Sequence, residues 1–160
     1  MIYMFMFTKK FNQPLDKWDT SNVTDMKQMF GAAEAFNQPL NSWNVSNVTD
    51  MENMFAETPL FNQSLDNWDT SKVTNMFSMF SNATAFDQAL NDWNVSNVTN
   101  MTNMFRGATS FDQDLSSWTV KATSVTSMFD GSGLSQENYC KIQASQSWSS
   151  KPTMSEYTCK

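Results

Sequence analysis

A 25-residue repeat constrains the fold of this chain more than any other feature of the sequence. The stretch 36–60, FNQPLNSWNVSNVTDMENMFAETPL, is one copy, and further copies begin at residues 11, 61, 86 and 111. A fixed period of this length is typical of repeat architectures, in which each unit packs only against its neighbours. The copies follow one another without insertion, which indicates that one unit makes one full turn of a coil. The sequence therefore predicts a solenoid.

Two spacings within each unit suggest its local structure. Val23, Met26, Met29 and Phe30 lie at i, i+3, i+6 and i+7, the spacing of one apolar face of an α-helical or 3₁₀ turn. The segment 11–18 carries apolar residues at both ends and in the middle, which favours a short extended strand. Stacked strands would form a narrow parallel sheet with a rise of about 4.8 Å per coil. The prediction is a solenoid of α/β type, with a short parallel strand and a short helical or 3₁₀ turn in each unit.

The repeat divides the chain into three regions. Residues 11–129 form five units, of which the fifth has lost one residue between Trp118 and Met128. Residues 1–10 carry a Met-Phe pair at the usual distance before the next Phe, which predicts an incomplete coil; a degenerate N-terminal cap is the alternative. Residues 130–160 depart from the repeat and predict a C-terminal helical cap with a polar tail, as expected of an atypical terminal segment.

Composition argues against several classes of function. Among 160 residues the net charge is −6, and no basic stripe is present to neutralise phosphates, so we expect no nucleic-acid partner. The sequence has no apolar run long enough to span a bilayer, so we expect no membrane insertion. It contains no histidine, the commonest general base and metal ligand. The acidic residues recur at turns without the loop pattern of a calcium site. We therefore expect no catalysis, no cofactor and no metal.

One tryptophan and one glutamine recur in every unit. The tryptophans could form a platform that stacks on carbohydrate, but a Leu three residues before each one favours burial, and each indole N–H then needs a carbonyl partner. The glutamines could contact a ligand, but identical amides in successive coils more often bond one another or the backbone. Both rows are predicted to be structural ladders. They consist of Trp18, Trp43, Trp68, Trp93 and Trp118, and of Gln13, Gln38, Gln63, Gln88 and Gln113.

The two cysteines, Cys140 and Cys159, both lie outside the repeats. An isolated pair in a terminal cap favours a disulfide that pins the tail to the cap helix; two inert thiols are the alternative. A ring of this size would stabilise the fold by about 3 kcal/mol. A disulfide also favours an oxidising compartment. Two cysteines without histidine make a poor zinc site.

The stretches 43–55, WNVSNVTDMENMF, and 93–105, WNVSNVTNMTNMF, resemble the 25/26-residue repeat of bacterial surface proteins, known from mycoplasma surface lipoproteins. The pattern is similar to the BspA-like leucine-rich repeats, with V-T-x-M-x-x-M-F in place of their V-T-x-I and A-F elements. The tail 133–139, GLSQENY, looks like the C-terminal cap of such arrays. The resemblance covers residues 4–140 and implies a leucine-rich-repeat-like solenoid at the cell surface, used in adhesion or recognition. It implies no catalytic residues.

An extracellular or cell-surface location is expected from this resemblance and from the cysteine pair. The chain itself shows no signal peptide pattern. Its opening apolar run, MIYMFMF, has no basic segment before it and no small-residue cleavage site after it.

We expect partner contacts at exposed positions that vary between units while the core stays constant. The best candidates lie between the Leu and the Trp of each unit, beside the predicted strand, where stacked coils make a continuous face. The predicted function is a non-catalytic recognition or adhesion module that binds a protein or glycan through this face. The alternative is a structural spacer or self-assembling scaffold, whose N-terminal coil stacks end to end on another copy. The candidate contact residues are Asp16, Lys17, Asn41, Ser42, Asp66, Asn67, Asn91, Asp92, Ser116 and Ser117.

Overall fold

Hydrogen bonds between successive 25-residue units organise the computed structural model, which describes residues 1–154 and 157–159. In the second half of each unit, alternate backbone N–H groups donate to carbonyls of the following unit. In the first unit these donors are Met26, Gln28, Phe30 and Ala32, at 2.8 to 3.0 Å from their acceptors. Each donor and its acceptor keep the same separation along the chain, as for Phe30 and Met54, so the units stack in register.

The described residues contain a single helix, α1 (Gln136–Ala144), and no continuous strand. Neighbouring units are instead paired through isolated parallel bridges, one for each of the four pairs of units and one between the fifth unit and the C-terminal region. These bridges join Asp25 to Asp50, Asp50 to Asn75, Asn75 to Asn100, Asn100 to Ser124, and Val120 to Trp148.

Consecutive β-turns occupy the segment whose apolar spacing suggested a helix. The Met29 N–H donates to the Met26 carbonyl at 3.1 Å, which closes a four-residue turn. Gln28 is the third residue of that turn with φ of 51°, and Ala32 takes the equivalent place in the next turn with φ of 56°. Right-handed helices require negative φ at every residue. The structure thus corrects the helical or 3₁₀ prediction: the turns leave alternate N–H groups free to bond the next unit, whereas a helix would use them internally.

The segment 11–18 also departs from its prediction, because it forms no strand. Side chains replace the expected ladder of backbone bonds here. The carboxamide oxygen of Asn12 accepts the Asn37 backbone N–H of the second unit at 2.9 Å. The units are therefore joined by backbone on one side of each coil and largely by side-chain oxygens on the other.

Two rows of phenylalanine rings fill the centre of the array. Phe30 stacks on Phe36 with ring centroids 4.1 Å apart. The equivalent rings of the next unit follow at 5.6 Å for Phe55 and 6.0 Å for Phe61. Near-parallel stacking of aromatic rings at these distances adds to the stabilisation from burial alone. Since each ring contacts its equivalents on both sides, the core fixes the register of the units.

Residues 1–8 have the backbone geometry of the stacking segment of a unit. Tyr3, Phe5 and Phe7 donate their N–H groups to carbonyls of the first unit at 3.0, 2.8 and 2.8 Å. The φ angles of Tyr3 and Phe7 are 58° and 60°, as at the equivalent turn positions of later units. Residues 1–8 therefore bond to the first unit as the equivalent segment of each unit bonds to the next.

The C-terminal region covers the last unit and makes hydrogen bonds and ring contacts with it that are equivalent to those between units. Ser135 caps α1, accepting the Asn138 backbone N–H at its Oγ, while its own N–H donates to Asp112 Oδ1 at 2.8 Å. After the helix, Trp148 stacks on Trp118 with centroids 6.3 Å apart. Its indole Nε1 donates to the Leu115 carbonyl at 3.2 Å. These contacts are the ones that a sixth unit would make.

Candidate functional site

The ten predicted contact residues lie in one row, which we call the Leu–Trp row, with two members in each unit. The Trp backbone N–H of each unit bonds the Leu carbonyl three residues earlier, as for Trp43 and Leu40 at 3.0 Å. This bond closes a turn whose two central residues are the row members. Because the Leu and Trp at both ends are buried in units two to five, the turn directs the central residues outward. Seven of the ten residues are exposed, and Asp16, Asn41 and Ser116 are half-buried.

Hydrogen bonds connect the row across the first three units. Ser42 Oγ donates to the Asp16 carbonyl at 3.1 Å. Asn41 Nδ2 donates to Asp66 Oδ1 at 2.6 Å, and Asn41 Oδ1 accepts the Asn67 backbone N–H at 3.0 Å. These bonds hold the side chains in fixed positions relative to one another.

The fourth and fifth units form a second connected group. Ser117 Oγ donates to the Asn91 carbonyl at 3.4 Å, and Asn91 Nδ2 donates to Asp92 Oδ1 at 3.1 Å. Among the described residues, no hydrogen bond joins the pair of the third unit to the pair of the fourth. The row is therefore two linked patches along one line.

The charges of the row are mostly acidic. Lys17 pairs with Asp16 at 3.3 Å, while Asp66 and Asp92 have no cationic partner within the described residues. Hydrogen bonds from Ser64 and Asn41 lower the pKa of Asp66, so this carboxylate stays ionised at neutral pH. Such an arrangement offers carboxylate and amide acceptors together with amide and hydroxyl donors, which suits recognition of polar groups.

A polar depression of about 340 Å³ lies at the C-terminal end of the row. Asn91, Gln113, Asp114, Ser116 and Ser117 line it. Burial opposes ionisation of Asp114, but hydrogen bonds from Ser116 and the charge of nearby Lys141 outweigh it and lower its pKa. Sequence reasoning missed Asp114 as part of this surface. The signal was present, since the residue after the repeated Gln is Pro, Pro, Ser and Ala in the other units.

The repeated tryptophans are buried in four of the five units. Trp43, Trp68 and Trp93 are 3% exposed and Trp118 is 1% exposed, whereas Trp18 in the first unit is 40% exposed. Each buried indole N–H donates to the Leu carbonyl of the preceding unit at 2.8 to 3.0 Å. The buried tryptophans thus join units rather than offering a stacking platform to a ligand.

The repeated glutamines also lie in a row, but they do not bond one another. Gln38 Nε2 donates to Asn12 Oδ1 at 3.0 Å, and Gln63 Nε2 donates to Asn37 Oδ1 at 2.9 Å. The residue that receives both a side-chain amide and a backbone N–H in each unit is the Asn or Asp just before the Gln. The amide belongs to a glutamine of the next unit for the first four units and to Asn138 for the fifth. Sequence reasoning missed this acceptor row, although its positions repeat as strictly as the glutamines. It consists of Asn12, Asn37, Asn62, Asp87 and Asp112.

Cys140 of α1 is bonded to Cys159 of the tail, with an S–S distance of 2.06 Å and Cα atoms 5.4 Å apart. The bond closes a loop of 19 residues that holds the tail against the cap. Across residues 1–154 and 157–159, no group of three or more His, Cys, Asp or Glu side chains is placed to share a metal ion. Within the same part of the chain, no helix has the length and apolar character needed to cross a membrane.

Comparison with known families gives one result. A family model described as "Mycoplasma protein of unknown function, DUF285" matches residues 1–70 and 41–142. Two overlapping matches to one model are what a chain of repeated units should give, and they agree with the resemblance to a mycoplasma repeat. No curated protein and no solved structure matches the chain. The chain is therefore a repeat protein that belongs to the DUF285 family.

Proposed function

We propose that this protein is a non-catalytic recognition or adhesion module, which binds a protein or glycan partner through the Leu–Trp row. One observation carries the proposal: the two residues at the tip of each Leu–Trp turn differ from unit to unit, whereas the Leu and Trp that hold the turn do not. The tips read Asp-Lys, Asn-Ser, Asp-Asn, Asn-Asp and Ser-Ser along the array. A constant frame that presents variable exposed side chains is the usual arrangement of a repeat-protein binding surface.

The chemistry of the row supports a polar partner. Its side chains are carboxylates, carboxamides, hydroxyls and one ammonium group, and no row member is aromatic or aliphatic. Hydrogen bonds across units, such as that of Asn41 with Asp66 at 2.6 Å, hold part of this surface in place before a partner arrives. Less conformational entropy is then lost on binding.

The proposal includes a fold relation and a location. The array is assigned to the leucine-rich-repeat-like solenoids, related to the BspA-like repeats, on the ground that its units stack in register with one buried Leu per turn and a buried Trp in units two to five. It is assigned to the extracellular or cell-surface compartment. The support for this location is the Cys140–Cys159 bond, since disulfides persist mainly in oxidising compartments.

The test compares binding of two variants to immobilised panels of glycans and of extracellular-matrix proteins. The row variant changes one exposed tip residue in each unit. A control variant changes exposed residues outside the row and alters the net charge by the same amount. The row variant carries Lys17→Glu, Ser42→Lys, Asn67→Lys, Asp92→Lys and Ser117→Lys, and the control carries Glu57→Lys and Thr109→Lys.

We expect the row variant to lose the binding that the unaltered chain and the control variant share, with similar melting temperatures for all three. Surface substitutions of this kind normally change stability by less than about 0.5 kcal/mol each. Unchanged binding by the row variant would contradict the proposal.

The alternative function is that of a spacer or scaffold that stacks end to end. The exposed side chains of the N-terminal segment favour it, because Ile2, Tyr3, Met4 and Phe7 are 45 to 66% exposed. The cap at the other end opposes simple head-to-tail stacking of identical chains, since it occupies the position of a sixth unit. Sedimentation separates the two functions: a strict monomer at high concentration argues against end-to-end assembly of this chain with itself.

A further inference from the structure

The polar depression of about 340 Å³ lies where the Leu–Trp row meets the C-terminal cap. Asn91 of the fourth unit forms one side of it, and Gln113, Asp114, Ser116 and Ser117 of the fifth unit form the rest. Sites for small ligands usually measure about 300–1,000 Å³, so this volume is at the lower end of their range. The depression therefore suits a small ligand or a single ring of a larger one.

The cap as well as the array holds the walls of the depression in place. Lys141 of α1 directs its Nζ to Asp114 Oδ2 at 3.4 Å. Ser145, just after α1, donates its Oγ–H to the Ser116 carbonyl at 2.8 Å. The lining residues of the fifth unit are thus positioned before any ligand arrives, which lowers the entropy lost on binding.

Two carboxamide oxygens in the depression are without a donor. Asn91 directs its Nδ2 to Asp92 Oδ1 at 3.1 Å, and Gln113 directs its Nε2 to Asp87 Oδ1 at 2.7 Å. Within the described residues, no donor reaches Asn91 Oδ1 or Gln113 Oε1. Because each carboxamide is held by its nitrogen, its oxygen remains available as an acceptor in a defined position.

Two donors of the same surface are also free. The Ser117 N–H has no acceptor within residues 1–154 and 157–159, whereas the equivalent N–H of the third unit, that of Asn67, bonds Asn41 Oδ1 at 3.0 Å. The Ser116 hydroxyl has no hydrogen-bond partner in that part of the chain either. The depression thus offers donors together with acceptors.

Asp114 is the only charged side chain among the five lining residues. Its Oδ1 accepts the Ser116 N–H at 2.9 Å, and its Oδ2 faces Lys141 Nζ. An ionised carboxylate has about four lone-pair sites, so Asp114 can accept further hydrogen bonds. A hydroxyl that donates to such a charged acceptor forms a stronger bond than one between neutral groups.

This mixture of groups discriminates between classes of ligand. An anion would use only the donors and would be repelled by Asp114, and a cationic side chain would use only the acceptors. A protein hot spot normally inserts an aromatic or Arg anchor into a well-packed pocket, and here every lining side chain is polar. A hydroxyl both donates and accepts, so a ligand with several neighbouring hydroxyls can use all of these groups.

We propose that the depression is a subsite for one pyranose ring of a glycan, which is bound through its hydroxyls. The inference rests on the proposed function, because Asn91, Ser116 and Ser117 belong to the Leu–Trp row, and it assigns a glycan to this end of the row. Asp114, Asn91 Oδ1 and Gln113 Oε1 accept hydroxyl protons. The Ser117 N–H and the Ser116 hydroxyl donate to sugar oxygens.

The experiment follows the backbone amides of the full chain by NMR during titration with the methyl glycosides of glucose, galactose, mannose and N-acetylglucosamine. The titration extends to high millimolar sugar, since a single ring makes few contacts. We expect saturable shifts of the Ser116 and Ser117 amides with at least one glycoside, while the amides of Asp16 and Lys17 in the first unit do not move. Lysine amide and inorganic phosphate, the cationic and anionic probes, should give no saturable shift at any of these amides.

Two substitutions in the depression and one matched control complete the titration. Ser116→Ala removes the free hydroxyl and should weaken binding of that glycoside by about fivefold. Asp114→Asn keeps an acceptor but removes the charge, and should weaken it by about tenfold. Asp16→Asn is the control, because Asp16 also forms an ion pair in the row, with Lys17 at 3.3 Å, but lies in the first unit. This control should bind the glycoside as the unaltered chain does.

A variant with only Lys17→Glu, Ser42→Lys and Asn67→Lys separates this inference from the proposed function. It alters the row in the first three units and leaves the depression intact, so it should bind the glycoside normally whether or not it loses binding to the immobilised panels. If the row variant loses panel binding and no glycoside shifts the Ser116 and Ser117 amides, the proposed function stands and the glycan subsite is refuted.

Saturable glycoside binding that both substitutions in the depression weaken, and that the control does not, supports the inference. The inference is overturned if no glycoside gives saturable shifts at Ser116 and Ser117, or if neither Ser116→Ala nor Asp114→Asn weakens binding. It is also overturned if Asp16→Asn weakens binding equally, or if the cationic or the anionic probe produces the same saturable shifts.

Discussion

Each buried tryptophan joins two units, because its ring packs in one and its indole N–H bonds the Leu carbonyl of the one before. For Trp93 the acceptor is the Leu65 carbonyl at 3.0 Å, and the ring is 3% exposed. Trp18 makes no such bond within the described residues and is 40% exposed. The same residue type at the same repeat position therefore has two different energetic roles.

Substitution at these two positions should show the difference. Trp93→Phe removes the indole hydrogen bond between the two units and leaves the Leu65 carbonyl with the Trp68 backbone N–H alone, which should lower the free energy of unfolding by about 0.5–1.5 kcal/mol. Trp18→Phe should change it by less than about 0.5 kcal/mol. Urea unfolding followed by circular dichroism measures both values, and equal losses would contradict the assigned roles.

The cap should loosen in acid through Asp112. Burial opposes ionisation of this carboxyl, but hydrogen bonds from Ser135 and Asn138 outweigh it, so its pKa lies below the ordinary value. A group with a lowered folded-state pKa contributes stability above its unfolded pKa, about 3.9 for Asp. That contribution is lost as pH falls through the folded-state pKa.

We therefore expect the urea concentration at the unfolding midpoint to decrease when the pH drops below about 4. The decrease should be smaller in Asp112→Asn, a variant that carries the Asn found at the equivalent position of the first three units. The control is Asp92→Asn, which lies outside the cap. An identical acid response of both variants and the unaltered chain would count against the role of Asp112.

At the residue scale, the sequence predicts whether a side chain is buried better than it predicts which group that side chain hydrogen-bonds. The burial of tryptophan and its need for a carbonyl follow from its position after a Leu and from its single donor. The partner of the glutamine row does not follow, because a Gln–Gln ladder and a Gln–Asn bond need the same periodicity. Only the structure shows that Asn12 Oδ1 accepts hydrogen bonds from both the Asn37 N–H and Gln38 Nε2.

At the scale of elements, the turns show why apolar spacing alone was misleading. Val23, Met26, Met29 and Phe30 point inward at helix-like intervals, yet the backbone between them reverses through residues with positive φ. Two short turns and one short helix can bury the same set of side chains. The sequence contained only a weak indication of turns. Glycine stands at 107 and 131, the positions that other units fill with Ala, Glu and Asn, and these positions have positive φ.

Glycine substitution distinguishes the observed β-turns from a helical turn in this segment. Glu57 has φ of 57°, so Glu57→Gly should leave stability unchanged or raise it by up to about 1 kcal/mol, since a left-handed residue costs about 1–2 kcal/mol without glycine. Ala56→Gly, at a neighbouring position without positive φ, should lower it by about 0.5–1 kcal/mol. Thermal unfolding checks both; a helical turn would require that both substitutions destabilise.

The disulfide acts on the cap rather than on the array. Cys140→Ser with Cys159→Ser opens a loop of 19 residues and should destabilise the cap by about 3 kcal/mol. Hydrogen exchange should then accelerate for Tyr139 and Ile142, while amides of the central units, such as that of Phe55, keep their protection. Equal acceleration in the cap and in the central units would show that the two regions unfold together.

At the scale of the whole molecule, the constant repeat period predicted stacked units, and the departures from it predicted that the two ends differ, but not the contacts that the C-terminal region makes with the last unit. A constant repeat implies the same contacts between each pair of neighbouring units. It does not show that Trp148 would take the place of a sixth repeated tryptophan, because the cap places Trp148 further from Trp118 than one repeat length. The Leu–Trp row was located from variation within a constant frame, and its hydrogen-bonded patches required the structure.

The most direct test of in-register stacking is NMR detection of scalar couplings across hydrogen bonds, from each amide nitrogen to the carbonyl carbon of its acceptor. Such stacking predicts couplings from Phe30 to Met54, from Phe55 to Met79 and from Phe80 to Met104, each joining one unit to the next. A coupling from the Phe30 nitrogen to the carbonyl carbon of Met26, four residues earlier, is what a helix would give instead. Its presence, with the long-range couplings absent, would contradict in-register stacking.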